Sequence, residues 1–99
     1  MSRARLTRLA ALELAAAARV IARDNPPAAR GLRATVAEAL GRLGRYPESG
    51  TARPELAAPP VRFWFMQRYP YVLIYDSEAR PPLVLRVVHA ARDLPALLR

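Results

Sequence analysis

The chain has no cysteine and no lysine, one histidine and four glycines in 99 residues. Without cysteine there are no disulfides, no thiolate metal sites and no cysteine nucleophiles, a composition that fits a reducing cytoplasm. Without lysine there is no Schiff-base chemistry and no phosphate-loop lysine. A single imidazole, His89, excludes a two-histidine metal site, so neither metal nor cofactor is expected. No apolar run approaches the roughly 20 residues needed to cross a bilayer, because Glu13 and Arg19 interrupt the longest one. No membrane partner is therefore expected, and the chain reads as soluble and cytoplasmic.

What is present is arginine. All sixteen basic residues are Arg, against eight acidic ones, for a net charge of +8. That balance suits an acidic protein, a nucleic acid or an anionic surface as partner. A chain heavy in Ala, Arg, Pro and Gly also reads as the product of biased base composition, with Arg the default solvent-facing cation and much of the charge carrying no message. The 53% hydrophobic content is that of a globular domain, and 99 residues make one domain, residues 1–99.

Two helices are expected in the first half. Thr7 caps the first, with Leu6, Leu9, Ala10, Leu14, Ala17, Val20 and Ile21 on its apolar side and Arg8, Arg19 and Arg23 opposite. Arg3 to Leu6 form a possible short edge strand. Glu13 falls on the apolar side, where a carboxylate is either paired with an arginine or open to solvent at a seam. Asn25 and Pro26 start the second helix, whose core face is Ala29, Leu32, Val36, Leu40 and Leu43. Glu38 and Arg42 are spaced as an exposed i, i+4 pair, and Gly44 is the expected C-cap. Residues 45–60 then read as a loop.

Beyond the loop the period switches to two. Val61 to Arg68, Tyr71 to Asp76 and Leu83 to His89 form an antiparallel meander, with a short helical turn from Leu94 to Leu98. The fold class is α+β, a helical hairpin packed on one face of a small sheet. Phe63, Phe65 and Tyr71 are expected in the core. Trp64 and Met66 fall on the other face, as an exposed apolar pair that invites a partner.

Serine triads, carboxylate pairs and phosphate loops find no residues in the right context. One cluster survives: Arg86, His89 and Arg92. A turn after His89 would bring Arg92 beside it, and two cations with an imidazole could hold a phosphate and move a proton, as in a metal-free ribonuclease. Against this, Arg92 has Asp93 or Asp76 as ready partners.

The order LTRLAALEL, IARDNPPAA, LGRLGRYPESGTARPEL, YPYVLIYD and VLRVVHAARDLPALL resembles the RelE/ParE toxin superfamily of type II toxin–antitoxin systems. The resemblance implies a helical hairpin on a small sheet and a cognate antitoxin, small, ParD-like and acidic toward its C-terminus. RelE-like members cleave messenger RNA with lysines and an arginine on central strands plus a distal arginine and tyrosine. The corresponding positions here are Phe63, Phe65 and about Val72; only Arg92 fits, and the tyrosine is missing. The departures favour the ParE-like branch, which poisons DNA gyrase without being an enzyme. Target contacts are then expected at Arg86, His89, Arg92, Leu97 and Leu98, and antitoxin contacts at Arg19, Arg23, Arg33, Trp64 and Met66. The alternatives are a ribosome-dependent ribonuclease using Arg86, His89 and Arg92, and a non-toxic interaction module on the same fold.

Overall fold

The structure, a computed structural model, describes residues 2–98. Its elements are β1 (Arg5–Leu6), α1 (Arg8–Ala22), α2 (Pro26–Arg45), β2 (Thr51–Ala52), β3 (Val61–Phe65), β4 (Tyr71–Asp76), β5 (Leu83–His89), α3 (Ala90–Asp93) and a 3₁₀ turn (Leu94–Leu98). The sheet order is β1-β5-β4-β3-β2. β1 runs parallel to β5, and every other neighbouring pair is antiparallel. The α+β hairpin-on-sheet architecture is as expected. The two-residue β2 was not: its pairing lies in a stretch without apolar alternation.

Both helices begin at the expected caps. The Thr7 hydroxyl accepts from the Ala10 amide at 3.0 Å and donates to the Leu85 carbonyl of β5 at 3.0 Å. The Asn25 side chain accepts from the Ala28 amide at 3.1 Å, ahead of Pro26. The buried stripe of α1 is Ala10, Leu14, Ala17 and Ala18, small enough to seat the helix close to its neighbours. Leu9 and Val20, expected inside, are 50% and 55% exposed instead. At 100° per residue they lie about a quarter turn off that narrow alanine stripe.

Gly44 does not cap α2. The helix runs on to Arg45, and no glycine among the described residues has positive φ. What Gly44 supplies is clearance: a Cβ there would overlap the Ser2 carbonyl oxygen. The N-terminal segment can therefore cross α2, with the Ala4 amide bonded to the Leu40 carbonyl at 2.9 Å and the Arg3 guanidinium to that of Ala37 at 2.7 Å. The Glu38–Arg42 pair is not formed either; Arg42 lies against aromatic rings.

The sheet is covered on both faces, not one. Against the hairpin pack Tyr71, Leu73, Tyr75, Val84, Val87 and Met66, with Trp64 at the margin. On the far face Phe63, Val72, Ile74 and Val88 form a second core under Leu56, Ala57, Ala90 and Leu94. Two covered faces explain why Tyr71 to Tyr75 is an unbroken apolar run, each residue buried. They also reverse the expectation for β3. Met66 is buried, Trp64 is half-buried in the hairpin-side core, and Phe65 is 39% exposed, stacked on Phe63 at 6.5 Å between ring centroids. Trp64 and Met66 are thus no exposed pair.

β5 carries a bulge: Ile74 faces Arg86 while Tyr75 faces Val84, leaving Leu85 over. The extra residue breaks the strict alternation and lets Val84 and Val87 share the hairpin-side core.

Candidate functional site

The end of β5 gathers the residues singled out above, and α1 completes the group. The Glu13 carboxylate receives Arg86 in a fork, Nε at 3.0 and 3.1 Å and Nη2 at 2.7 Å. It also accepts the Val87 amide at 2.9 Å. Glu13 is therefore paired, and the pair holds the Arg86 guanidinium even further toward its charged form. With its fork filled by a carboxylate, Arg86 is a tie between α1 and β5 rather than a cation free to hold a phosphate.

His89 ends β5 and caps α3. Its Nδ1 accepts the Arg92 amide at 3.1 Å, and its own amide donates to Asp93 Oδ2 at 2.8 Å. These two bonds make a reciprocal cap at the start of α3. The ring packs edge-on against Tyr71, with centroids 5.5 Å apart. The turn does bring Arg92 back beside His89, as the spacing required. Arg92 then pairs with Asp93, Nε to Oδ1 at 3.2 Å. That guanidinium is the main reason the Asp93 carboxyl sits below the usual carboxylate range, helped by the His89 amide.

A small cleft of about 210 Å³ opens here, lined by Glu13, Ala16 and Val20 of α1 and by Tyr71, His89 and Arg92. Arg92 is the exposed cation of the group, with 69% of its side chain accessible. Leu97 is 37% exposed on the 3₁₀ turn, whereas the Leu98 side chain lies outside the described residues. Arg19, Arg23 and Arg33 are exposed on the hairpin. Beside Arg19 and Arg23, one flank of α1 presents Leu9, Leu12 and Val20 to solvent, three apolar side chains at least half exposed. That stripe was missed because helical periodicity alone cannot say which of two apolar flanks a neighbour covers.

A second feature went unread. The Arg42 guanidinium lies 5.7 Å from the ring centroids of both Tyr46 and Trp64. Its signal in the sequence is the i, i+4 spacing of Arg42 and Tyr46. Among the described residues no cluster of acidic and histidine side chains could hold a metal ion, and no helix is long and apolar enough to cross a membrane.

The fold and its surfaces define a small hairpin-on-sheet domain with arginines exposed on the hairpin and at the β5 end. The family model for the ParE toxin of the type II toxin–antitoxin system parDE matches residues 4–94, and this chain belongs to that family. Among solved structures it is similar to a chain described as "Chromosomal ParDE TA system from P. aeruginosa". The two share 23% identity over 90% of this chain and 96% of that one, with a TM-score of 0.73, a likeness of fold. No curated protein matches the sequence at a significant level. Membership identifies the chain as a ParE-type toxin, whose class of partner is an antitoxin.

Proposed function

We propose that this toxin binds DNA gyrase, stalls it on cleaved DNA and so blocks replication, arresting bacterial growth until a cognate antitoxin binds it directly in the cytoplasm. The observation that supports target binding over RNA cleavage is the second core. Phe63, Phe65 and Val72 stand where the ribonuclease branch would carry cations, and Phe63 and Val72 are 1% and 0% exposed under Leu56 and Leu94. A phosphate cradle cannot form on an apolar surface that is already covered. Arg86 is committed to Glu13 and His89 Nδ1 to the Arg92 amide, which leaves Arg92 as the exposed cation of the group and speaks against RNA cleavage, whose transition state needs several.

Target contacts are proposed at the β5 end, through Arg92, the exposed part of His89 and the Leu97–Leu98 turn, with Arg86 in support. The antitoxin is proposed to lie on the hairpin. Its acidic residues meet Arg19, Arg23 and Arg33, and its apolar anchors cover the stripe of Leu9, Leu12 and Val20. Met66 drops out of this surface because it is buried.

The test is to induce the chain alone in bacterial cells and follow pulse-labelled DNA and protein together. Failure of DNA synthesis first is the expected result. Failure of protein synthesis first would place the chain with the ribonucleases, and failure of neither would make it an interaction module. Replacing His89 and Arg92 together by alanine should relieve the arrest while the circular dichroism spectrum is kept; full toxicity in that folded variant would remove the β5 end from the target surface.

A further inference from the structure

Between α2 and the outer edge of β3 runs a groove of about 700 Å³, lined by Thr35, Glu38 and Arg42 on one side and Trp64, Phe65 and Arg68 on the other. Past Arg42 and Ser49 it continues into a second depression of about 480 Å³ that reaches Arg45, Tyr46 and Arg80. The groove exists because β2 pairs with β3 only at Arg62 and Phe63 and then stops. The Met66 amide bonds toward β4, so by alternation the main-chain groups of Phe65 point the other way, into the groove.

Its chemistry is a ladder. Tyr46, Arg42 and Trp64 follow one another as ring, cation, ring, with the guanidinium 5.7 Å from each centroid. Tyr46 is 59% exposed, so one face of its ring is open. Flat guanidinium and aromatic surfaces are the platforms on which nucleobases stack. Around the ladder stand Arg45, Arg68 and Arg80 against Glu38 and Glu48. Arg80 is fixed at the rim by its bonds to the Ser77 and Ala79 carbonyls at 2.7 and 2.9 Å.

We infer that this groove binds single-stranded nucleic acid, with a base on the open face of Tyr46, whose ring Arg42 braces from behind, and phosphates at Arg45, Arg68 and Arg80. This is independent of the gyrase reading and uses none of the residues assigned to the β5 end. An acidic peptide laid along the open β3 edge is the competing occupant.

Trp64 is the only tryptophan and sits in the groove, so its fluorescence reports occupancy. The full chain is titrated with oligothymidylate, with the matching oligouridylate and with a polyglutamate peptide. Saturable quenching by either oligonucleotide is expected, a DNA or RNA preference telling which strand is the source. Neutralising two or three phosphates weakens binding roughly ten- to thirty-fold between 50 and 250 mM salt. Tyr46→Ala and Arg45→Glu should each weaken binding of a labelled oligonucleotide at least about fivefold with thermal unfolding unchanged. Arg8→Glu, exposed on α1 and outside the groove, should change it less than about twofold. The inference is overturned if neither oligonucleotide quenches, if polyglutamate binds as tightly, or if Arg8→Glu costs as much as Arg45→Glu.

Discussion

The two long edges of the sheet are finished in opposite ways. Along the outer edge of β5, β1 and Thr7 cover Leu83 to Leu85, and then side chains take over from a strand. Glu13 accepts the Val87 amide at 2.9 Å and Asp93 the His89 amide at 2.8 Å. Along the edge of β3, a two-residue strand covers Arg62 and Phe63, and beyond it the edge opens onto a groove. Carboxylates placed at successive outward amides close an edge as a strand would, and they bring charge with them. One edge is thus sealed by carboxylates whose charge Arg86 and Arg92 balance, and the other is left open beside a groove.

The sharpest way to break that contrast is at Glu13. Glu13→Ala leaves the Val87 amide without its acceptor and Arg86 without its partner. Because Arg86 is partly exposed and solvent screens it, a loss of about 2 kcal/mol is expected, read by urea denaturation. Glu13→Gln, which keeps an acceptor for Val87, should cost about half as much. An equal cost for the two variants would mean that the ion pair, not the amide bond, seals the edge.

On the open side, one hydroxyl adds to the short β2–β3 pairing in holding the β2 segment. Tyr75 donates to the Pro47 carbonyl at 2.6 Å and accepts the Gly50 amide at 2.8 Å. Gly50 has no room for a Cβ beside that ring. Tyr75→Phe leaves a buried amide unpaired and should cost about 1–1.5 kcal/mol. It should also speed hydrogen exchange at Gly50 and Thr51 while Val87 stays protected.

The smallest effect is a pH dependence at the end of β5. The folded Asp93 carboxyl is held below its ordinary value, so the His89–Asp93 cap is intact above the usual carboxylate range. It is lost as pH falls through the lowered value of the folded state. Exchange at the His89 amide should rise in that acid window, and in Asp93→Asn the acid-induced rise should be absent.

Much of the frame was legible. Thr7, Asn25 and Pro26 announce both helix starts because caps are local chemistry. β4 and β5 stand where their apolar content puts them. Glu13 declared itself by lying on an apolar flank, since a carboxylate there is either paired or wet. What stayed hidden depends on contacts between distant segments. A period of two cannot tell which face of β3 is inward when both faces are covered, and so Phe65 and Trp64 changed places. The Leu85 bulge, the pairing of Thr51 with Phe63 and the use of Gly44 as a crossing point are set by partners up to 42 residues away, as Ser2 is from Gly44. The Arg42 ladder stayed hidden for the same reason, because Trp64 comes from another element.

The parallel pairing of Arg5 with Leu83 and of Leu6 with Val84 bears on how the chain is made. During synthesis β1 leaves the ribosome with nothing to pair with until β5 has followed it out. Glu13 likewise waits for Arg86 and Val87. The hairpin can form early from local contacts, but closing the β5 edge is a late, long-range step. A product cut short before Leu83 has neither that edge nor the residues proposed to meet the target, so an interrupted round of translation would release no half-finished toxin.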